Sequence, residues 1–224
     1  HEAVVAARST GVDLVTGNGL GAALAGADAV IDTTNVLTSR ARPSREFFEA
    51  TARTLMRTAQ QAGVAHIAAL SIIGVDRVPF GYYQGKLRQE EVLRESRVPV
   101  SILRAAQFHE FPAQYLARVR GPLVPVPVWR TQPVAASEVG AALARLAVGP
   151  PVPMSELAGP REELMADLVR QVVLARGERR RVLSVRLPGA TGRAMAAGGG
   201  LPSGQGTRGT QTFAEWLADL PTPP

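Results

Sequence analysis

The chain has no cysteine in its 224 residues. That absence excludes disulfides, thiolate metal sites and a cysteine nucleophile, and it suits a reducing cytoplasm, the expected location. No apolar run reaches the roughly 18 to 20 residues that a membrane span requires, so no membrane partner is expected. The opening His1-Glu2-Ala3-Val4-Val5 has no basic stretch ahead of a long apolar one and does not read as a signal peptide. Aromatic residues are scarce, at 5%, and neither an aromatic-rich basic strand nor a zinc-finger spacing accompanies the net charge of +6. The arginines are scattered from Arg8 to Arg208, with one tight cluster at Arg179-Arg180-Arg181. A solvated basic surface is therefore the expectation rather than specific nucleic-acid binding, and no metal site is expected.

Lysine is the most telling scarcity. Of 25 basic residues, Lys86 alone is a lysine. In a chain that uses arginine wherever either cation serves, a retained lysine points to a role for a compact ammonium that a planar guanidinium cannot fill.

What is present is an ordinary globular composition, 46% hydrophobic and 20% charged. It suffices for one substantial core with a small appended lobe. Val4 to Ala7 reads as a buried strand followed by a polar turn at Arg8-Ser9-Thr10-Gly11. Leu20 to Ala25 reads as a short helix, and Ala29-Val30-Ile31 as a strand that opens into Asp32-Thr33-Thr34-Asn35. Ser44 is a plausible N-cap for a long helix with Phe47, Phe48, Ala52, Leu55, Met56 and Ala59 on one side, closed by Gly63. His66 to Leu70 is a strand ending at Ser71, with His66 a structural residue inside it. A helix from Tyr82 to about Ser96 follows, then a strand from Pro99 to Leu103. This alternation argues for an α/β fold with a doubly wound parallel sheet, in which ligands sit beyond the carboxyl ends of the strands.

Beyond residue 108 the texture changes. Gly121 to Pro133 reads as a proline-rich loop with short extended pieces. Helices are expected from Ser137 to Leu146 and from Pro160 to about Leu174, and a strand over Val182 to Val185. Gly198 to Gly209 reads as a flexible loop, and Thr212 as the cap of a final helix from Phe213 to Leu220. The division predicted is a nucleotide-binding core over 1–108 and a small substrate-covering lobe over 109–224.

One element of such folds is missing. They open with a strand and a glycine-rich turn that sets pyrophosphate at a helix N-terminus. Gly17-Asn18-Gly19-Leu20-Gly21 follows the first visible strand and has the wrong spacing. The chain also begins with His rather than Met. The expectation is that roughly one strand and one helix, about 25 to 30 residues by the size of such units, lie outside this sequence.

The chemistry concentrates at Tyr82-Tyr83-Gln84-Gly85-Lys86, where Tyr82 and Lys86 fall one helical turn apart. An ammonium near a phenol favours the phenolate, which equips Tyr82 to exchange a proton with a substrate oxygen. Ser71, at the end of the preceding strand, is placed to hydrogen-bond the same oxygen. The plainer alternative is a surface pair at a helix start, with Ser71 merely ending a strand.

Ser71 with Tyr82-x-x-x-Lys86 resembles the Ser-Tyr-Lys set of short-chain dehydrogenases. The stretch Leu103-Arg104-Ala105-Ala106-Gln107-Phe108-His109-Glu110-Phe111 resembles a segment of bacterial NmrA-like, NAD(P)H-binding proteins. Glu156 to Pro160 and the tail Gly209 to Ala218 are similar to later motifs of that group. The resemblance implies a Rossmann-like fold that binds NADP, with NAD possible. It implies that Arg8 and Ser9 receive the adenosine 2′-phosphate, which a guanidinium fork suits. Asp13 and Leu14 would flank adenine, and Thr33, Thr34 and Asn35 would line ribose and phosphates. Lys86 would hold the nicotinamide ribose, Gln107 and Phe108 would sit near the nicotinamide, and His109 and Phe111 would face a small-molecule substrate. For Arg8 a solvated turn arginine is the alternative, for Asp13 a local cap, and for His109 simple packing. The activity implied is reduction of a small carbonyl, enone or quinone. The group also contains non-catalytic NADP sensors that act on a protein partner, and nucleotide-sugar epimerases are more distant relatives.

Overall fold

In the computed structural model, which describes residues 1–204 and 206–220, the chain forms alternating helices and strands. In chain order they begin α1 (Leu20–Ala23), β1 (Ala29–Asp32), α2 (Ala41–Ala62), β2 (His66–Ile72), α3 (Gly81–Arg94) and β3 (Val100–Ala105). They continue with α4 (Phe111–Arg118), β4 (Leu123–Pro127), β5 (Arg130–Thr131), α5 (Ala136–Val148), β6 (Ser155–Ala158) and β7 (Glu163–Leu164). The remainder are α6 (Met165–Ala175), β8 (Arg181–Val185), α7 (Gly189–Ala196), β9 (Thr207–Arg208) and α8 (Phe213–Ala218). The result is an α/β fold with a parallel central sheet of five strands in the order β1-β2-β3-β6-β9. No described helix is long and apolar enough to cross a membrane.

Two compact units divide the chain, and the chain passes between them several times instead of once near residue 108. The first comprises His1–Ser71, Phe80–Leu103 and Ala142–Ser155. Its core gathers Val12, Leu20, Leu24, Leu55, Ala59, Val64, Ile67 and Val98. The amphipathic α2 supplies two of these, and Gly63, at φ 74°, ends the helix in the left-handed conformation that a side chain disfavours. β1 pairs with β2 in parallel, Ala29 opposite His66 through Asp32 opposite Ala69. His66 is buried and structural, its Nε2 2.9 Å from Ser101 Oγ and its Nδ1 3.3 Å from the Ala147 carbonyl.

The second unit comprises Ile72–Pro79, Arg104–Ala141 and Glu156–Pro224. Here β4 pairs with β8 in parallel and β5 with β7 antiparallel. Two of the three stretches that resemble family motifs meet inside it, through His109 and the tail at Phe213 and Trp216. The His109 ring packs against Phe213 and Trp216 at 5.7 Å each, and Thr212 caps α8 in a reciprocal box with Glu215. Arg104 is bound to Asp76 at 2.8 Å. Against the upward push of burial, that guanidinium holds the Asp76 carboxyl below its usual range.

Four sequence expectations are corrected. Val4 to Ala7 forms no strand, and Val4 and Val5 are 71% and 72% exposed. Thr10 instead draws this backbone into a local turn, its hydroxyl bonding both to the Val5 and Ala7 carbonyls and to the Ala7 N–H. Ser44 is not the cap of α2, which starts three residues earlier. Pro43 is tolerated among the first residues, whose N–H groups lack helical partners, and the buried Ser44 hydroxyl donates to the Tyr82 carbonyl. The helix expected from Pro160 starts only at Met165, because Glu163–Leu164 pairs with β5 and Glu162 binds Arg130. The loop expected over Gly198–Gly209 ends in a strand, β9, paired with β6, while Gln205 lies outside the described residues. Its first glycines pack closely: a Cβ on Gly199 would lie 2.8 Å from Val78 Cγ2. α7 has no counterpart in the sequence expectations.

α2 and α3 pack closely where Gly85 faces Ser44 and Phe48. A Cβ on Gly85 would stand 2.7 Å from both Phe48 Cδ2 and the backbone carbonyl carbon of Ser44. Gly85→Ala is therefore expected to destabilise the fold by about 1–3 kcal/mol, the usual cost of overpacking. Gly140→Ala, with open space around its Cα, should stabilise by about 0.5–1 kcal/mol through helix propensity. Denaturant titration of both variants checks the contrast.

Candidate functional site

β1 delivers its chain into the segment Asp32–Asn35, and a cleft of about 370 Å³ opens beside it. Ala6, Ala7, Arg8, Val12, Asp13 and Leu14 line one part of the cleft. Asp32 to Asn35 line another, with Phe47, Thr51 and Leu55 contributed by α2. The volume lies within the range of small-molecule sites, roughly 300–1,000 Å³. The lining combines aliphatic side chains with the hydroxyls of Thr33, Thr34 and Thr51, the Asn35 amide, the carboxylates of Asp13 and Asp32, and the Arg8 guanidinium. That donor set suits a nucleoside with an anionic substituent.

Of the residues expected around the adenosine, Arg8, Asp13 and Leu14 line the cleft. Arg8 is exposed at the start of a 3-10 turn over Arg8–Thr10, while Ser9 follows in the same turn outside the cleft lining. Asp13 lines the cleft and also serves as a local cap, accepting the Val15 N–H at 2.7 Å. Gly19 is no phosphate cradle. Its φ is 72°, and a Cβ there would collide with the Gly11 carbonyl, so it serves a close crossing of backbone.

The Ser-Tyr-Lys set is present, but its polar groups are engaged within the protein. The Tyr82 hydroxyl donates to Asn35 Oδ1 at 2.7 Å, and Asn35 Oδ1 also accepts the Val36 N–H. Burial pushes the phenol up to about 12. This is opposite to the lowering expected from a neighbouring ammonium, and the contacts of Lys86 explain why. Lys86 is only 3% exposed. Its Nζ donates to the Leu70 carbonyl at 2.6 Å and to Gln89 Oε1 at 2.5 Å, and it stands 4.8 Å from the centre of the Phe48 ring. Tyr82 meets the same Phe48 ring edge-on at 5.8 Å, so the phenol and the ammonium share an aromatic neighbour. Burial brings Lys86 down to about 8, against the opposing pull of Asp32 and Glu90. Ser71 is buried and donates to Glu90 Oε1 at 2.6 Å. Glu90 Oε2 accepts from Arg94 at 2.8 Å.

Sequence reasoning missed three members of this network. Gln89 donates through Nε2 to Asp32 Oδ2 at 2.7 Å, and Glu90 and Phe48 complete the surroundings of Ser71 and Lys86. A signal was available: Tyr82, Lys86 and Gln89 are spaced i, i+4, i+7, one face of a helix.

The residues expected around nicotinamide and substrate lie in the second unit. Phe108 forms an isolated bridge with Val134, and Gln107 accepts the Val134 N–H through its carbonyl. His109 is fully buried, its Nε2 3.1 Å from the Gln211 carbonyl. Burial lowers its pKa, partly offset by that carbonyl. The surroundings of His109 are thus the packing of α8. Phe111, half-buried at the start of α4, meets Trp129 edge-on at 5.6 Å.

A family model described as NAD(P)H-binding matches residues 3–147. A search of curated proteins finds no match. Among solved structures, the chain is similar to the NADPH-dependent quinone oxidoreductase of Escherichia coli complexed with NADPH. The identity is 19%, covering 89% of this chain and 78% of that one, with a TM-score of 0.67. It is also similar to the triphenylmethane reductase of Citrobacter sp. complexed with NADP(H), at 16% identity, 82% and 72% coverage and a TM-score of 0.60. A nucleoside-diphosphate-sugar epimerase from Staphylococcus aureus matches at 16% identity, 89% and 79% coverage and a TM-score of 0.65. At these identities the likeness is one of fold.

Because Lys86 is the only lysine, a [13Cε]lysine label gives a single side-chain resonance. It should titrate with a midpoint of about 8. The unfolded lysine titrates near ~10.4, so between these values the unfolded state binds the extra proton. Lys86 should therefore add stability as pH rises from about 8 toward that value. A midpoint at the ordinary lysine value would contradict the burial.

Proposed function

The chain belongs to the NAD(P)H-binding family, and from that premise we propose that it is an NADP-preferring oxidoreductase of the NmrA-like, atypical short-chain type. Its substrate class is a small carbonyl, enone or quinone. The observation that carries this reading is the cleft beside Asp32–Asn35, where Arg8, Asp13, Leu14, Thr33 and Thr34 converge. The Escherichia coli quinone oxidoreductase and the Citrobacter reductase, whose structures hold NADPH and NADP(H), support the cofactor preference and the reductive direction.

When bound, the dinucleotide supplies the hydride. The chain's own residues do the rest. Arg8 would receive the 2′-phosphate as a charge-assisted fork, Asp13 and Leu14 would flank the base, and the hydroxyls of Thr33 and Thr34 would meet ribose oxygens. Tyr82 holds a proton at its hydroxyl oxygen. With the phenol pushed up to about 12 by burial, that proton stays in place through neutral pH and is available to a substrate oxygen that gains negative charge. Asn35, the present acceptor of that proton, fixes where it points. Lys86 faces inward, its ammonium held by the Leu70 carbonyl and Gln89, and it shares with Tyr82 the Phe48 ring. Ser71 polarises a carbonyl in this scheme only after leaving Glu90.

That last requirement favours a second reading, a non-catalytic NADP sensor acting on a protein partner. All three polar groups of the Ser-Tyr-Lys set are already hydrogen-bonded within the protein.

Titration of NADPH and NADH, followed by nucleotide fluorescence, should show NADPH preferred. Arg8→Ala should weaken NADPH by about tenfold or more, the worth of one charge-assisted hydrogen bond, and leave NADH nearly unchanged. In an enzyme Tyr82→Phe abolishes quinone or carbonyl turnover and keeps the affinity. A sensor binds equally well in both forms and turns over nothing. Absence of binding of either nucleotide to the folded, full-length protein would end both readings.

A further inference from the structure

Gln89 lines no part of the cleft, yet it is 1% exposed and stands between the buried side chains of Lys86 and Asp32. Its Oε1 accepts from Lys86 and its Nε2 donates to Asp32 Oδ2. A side-chain amide suits this position because it offers an acceptor to an ammonium and a donor to a carboxylate at once. The other Asp32 oxygen accepts the Thr34 N–H at 2.9 Å, which sets the course of the backbone that lines the cleft. One residue further on, Asn35 accepts the Tyr82 hydroxyl. One face of α3 therefore grips the Asp32–Asn35 segment at two points, directly through Tyr82 and through the buried chain Lys86–Gln89–Asp32. We propose that Gln89 and Asp32 are positioning residues: the amide bridge from Lys86 to Asp32 holds the cleft-lining segment in the conformation that receives the nucleotide. The structural part stands on these contacts alone, while its consequence for affinity rests on the reading given above.

The bridge has a reversible polarity, which supplies the test. Gln89→Glu keeps an acceptor for Lys86 but loses the N–H that Asp32 accepts and sets two carboxylates face to face. In Asp32→Asn/Gln89→Glu the introduced amide donates to the introduced carboxylate, and the bridge is restored with its ends exchanged. Hydrogen exchange at the Thr34 amide, read by NMR on the nucleotide-free protein, should be about tenfold faster in Gln89→Glu, as expected for loss of one buried charged hydrogen bond. It should return to within about threefold of wild type in the double variant. The NADPH dissociation constant should follow the same loss and rescue. A merely structural role would lower the melting temperature of both variants and give no rescue.

Should Gln89→Glu fail to fold, Gln89→Met removes the amide bridge while the buried Lys86 and Asp32 keep their opposite charges in one interior. It must show the same faster exchange at Thr34. Unchanged Thr34 exchange in the folded variants, or loss without rescue in the double variant, overturns the inference. Wild-type protein that binds no NADPH overturns the functional reading instead, and the Thr34 arm still decides the inference.

Discussion

A lone ammonium is stable in a protein interior only where each of its donors is met and an opposite charge stands near, since its desolvation otherwise costs several kcal/mol. The first unit is organised around meeting that demand. α2 and α3 approach so closely at Gly85 that no Cβ fits, and Phe48 lies over the enclosed Lys86. The β2 carbonyl of Leu70 takes one proton of the ammonium, and Gln89 takes another and passes the interaction to Asp32 at the end of β1. A single buried cation thereby connects two helices, two strands and the segment that lines the cleft. The scarcity of lysine in an arginine-rich chain becomes intelligible. A planar guanidinium with five donors would need a larger set of acceptors than this enclosure holds.

Much of this was legible from sequence, for identifiable reasons. The elements that carry strong periodicity and clear ends, α2 to Gly63, β2 to Ser71 and α3 from Gly81, stand within a few residues of where the pattern put them. The residues at the carboxyl end of β1 line a cleft, as the geometry of parallel sheets requires. The failures came where local hydrogen bonds or distant pairing outweighed the pattern. Thr10 turns back an apolar run that reads as a strand, and two-residue strands such as β7 and β9 are too short to leave a periodic trace. The spacing of Tyr82 and Lys86 was evident, but spacing along a helix does not reveal which way the two polar tips point. Here Tyr82 turns to Asn35 and Lys86 to the interior.

The second unit offers a different lesson about resemblance. Phe108 to Phe111 and Thr212 to Trp216 each look like signature motifs, and signature residues invite a role in binding. In the structure they meet as a packed aromatic cluster closed by the bond from His109 to the Gln211 carbonyl. Glu138 anchors the same tail by accepting from the Thr210 and Gln211 amides. The cluster and this anchor give the two motifs a physical reason to occur together in one chain.

Under the proposed function, the Asp32–Asn35 cleft receives the dinucleotide. Amide shift mapping of the 15N-labelled protein during NADPH addition tests it most directly. Saturable shifts should concentrate at Arg8, Asp13, Leu14 and Thr33 to Asn35. If saturating NADPH moves none of these amides, or moves only a set elsewhere, the cleft is not the site and the account fails.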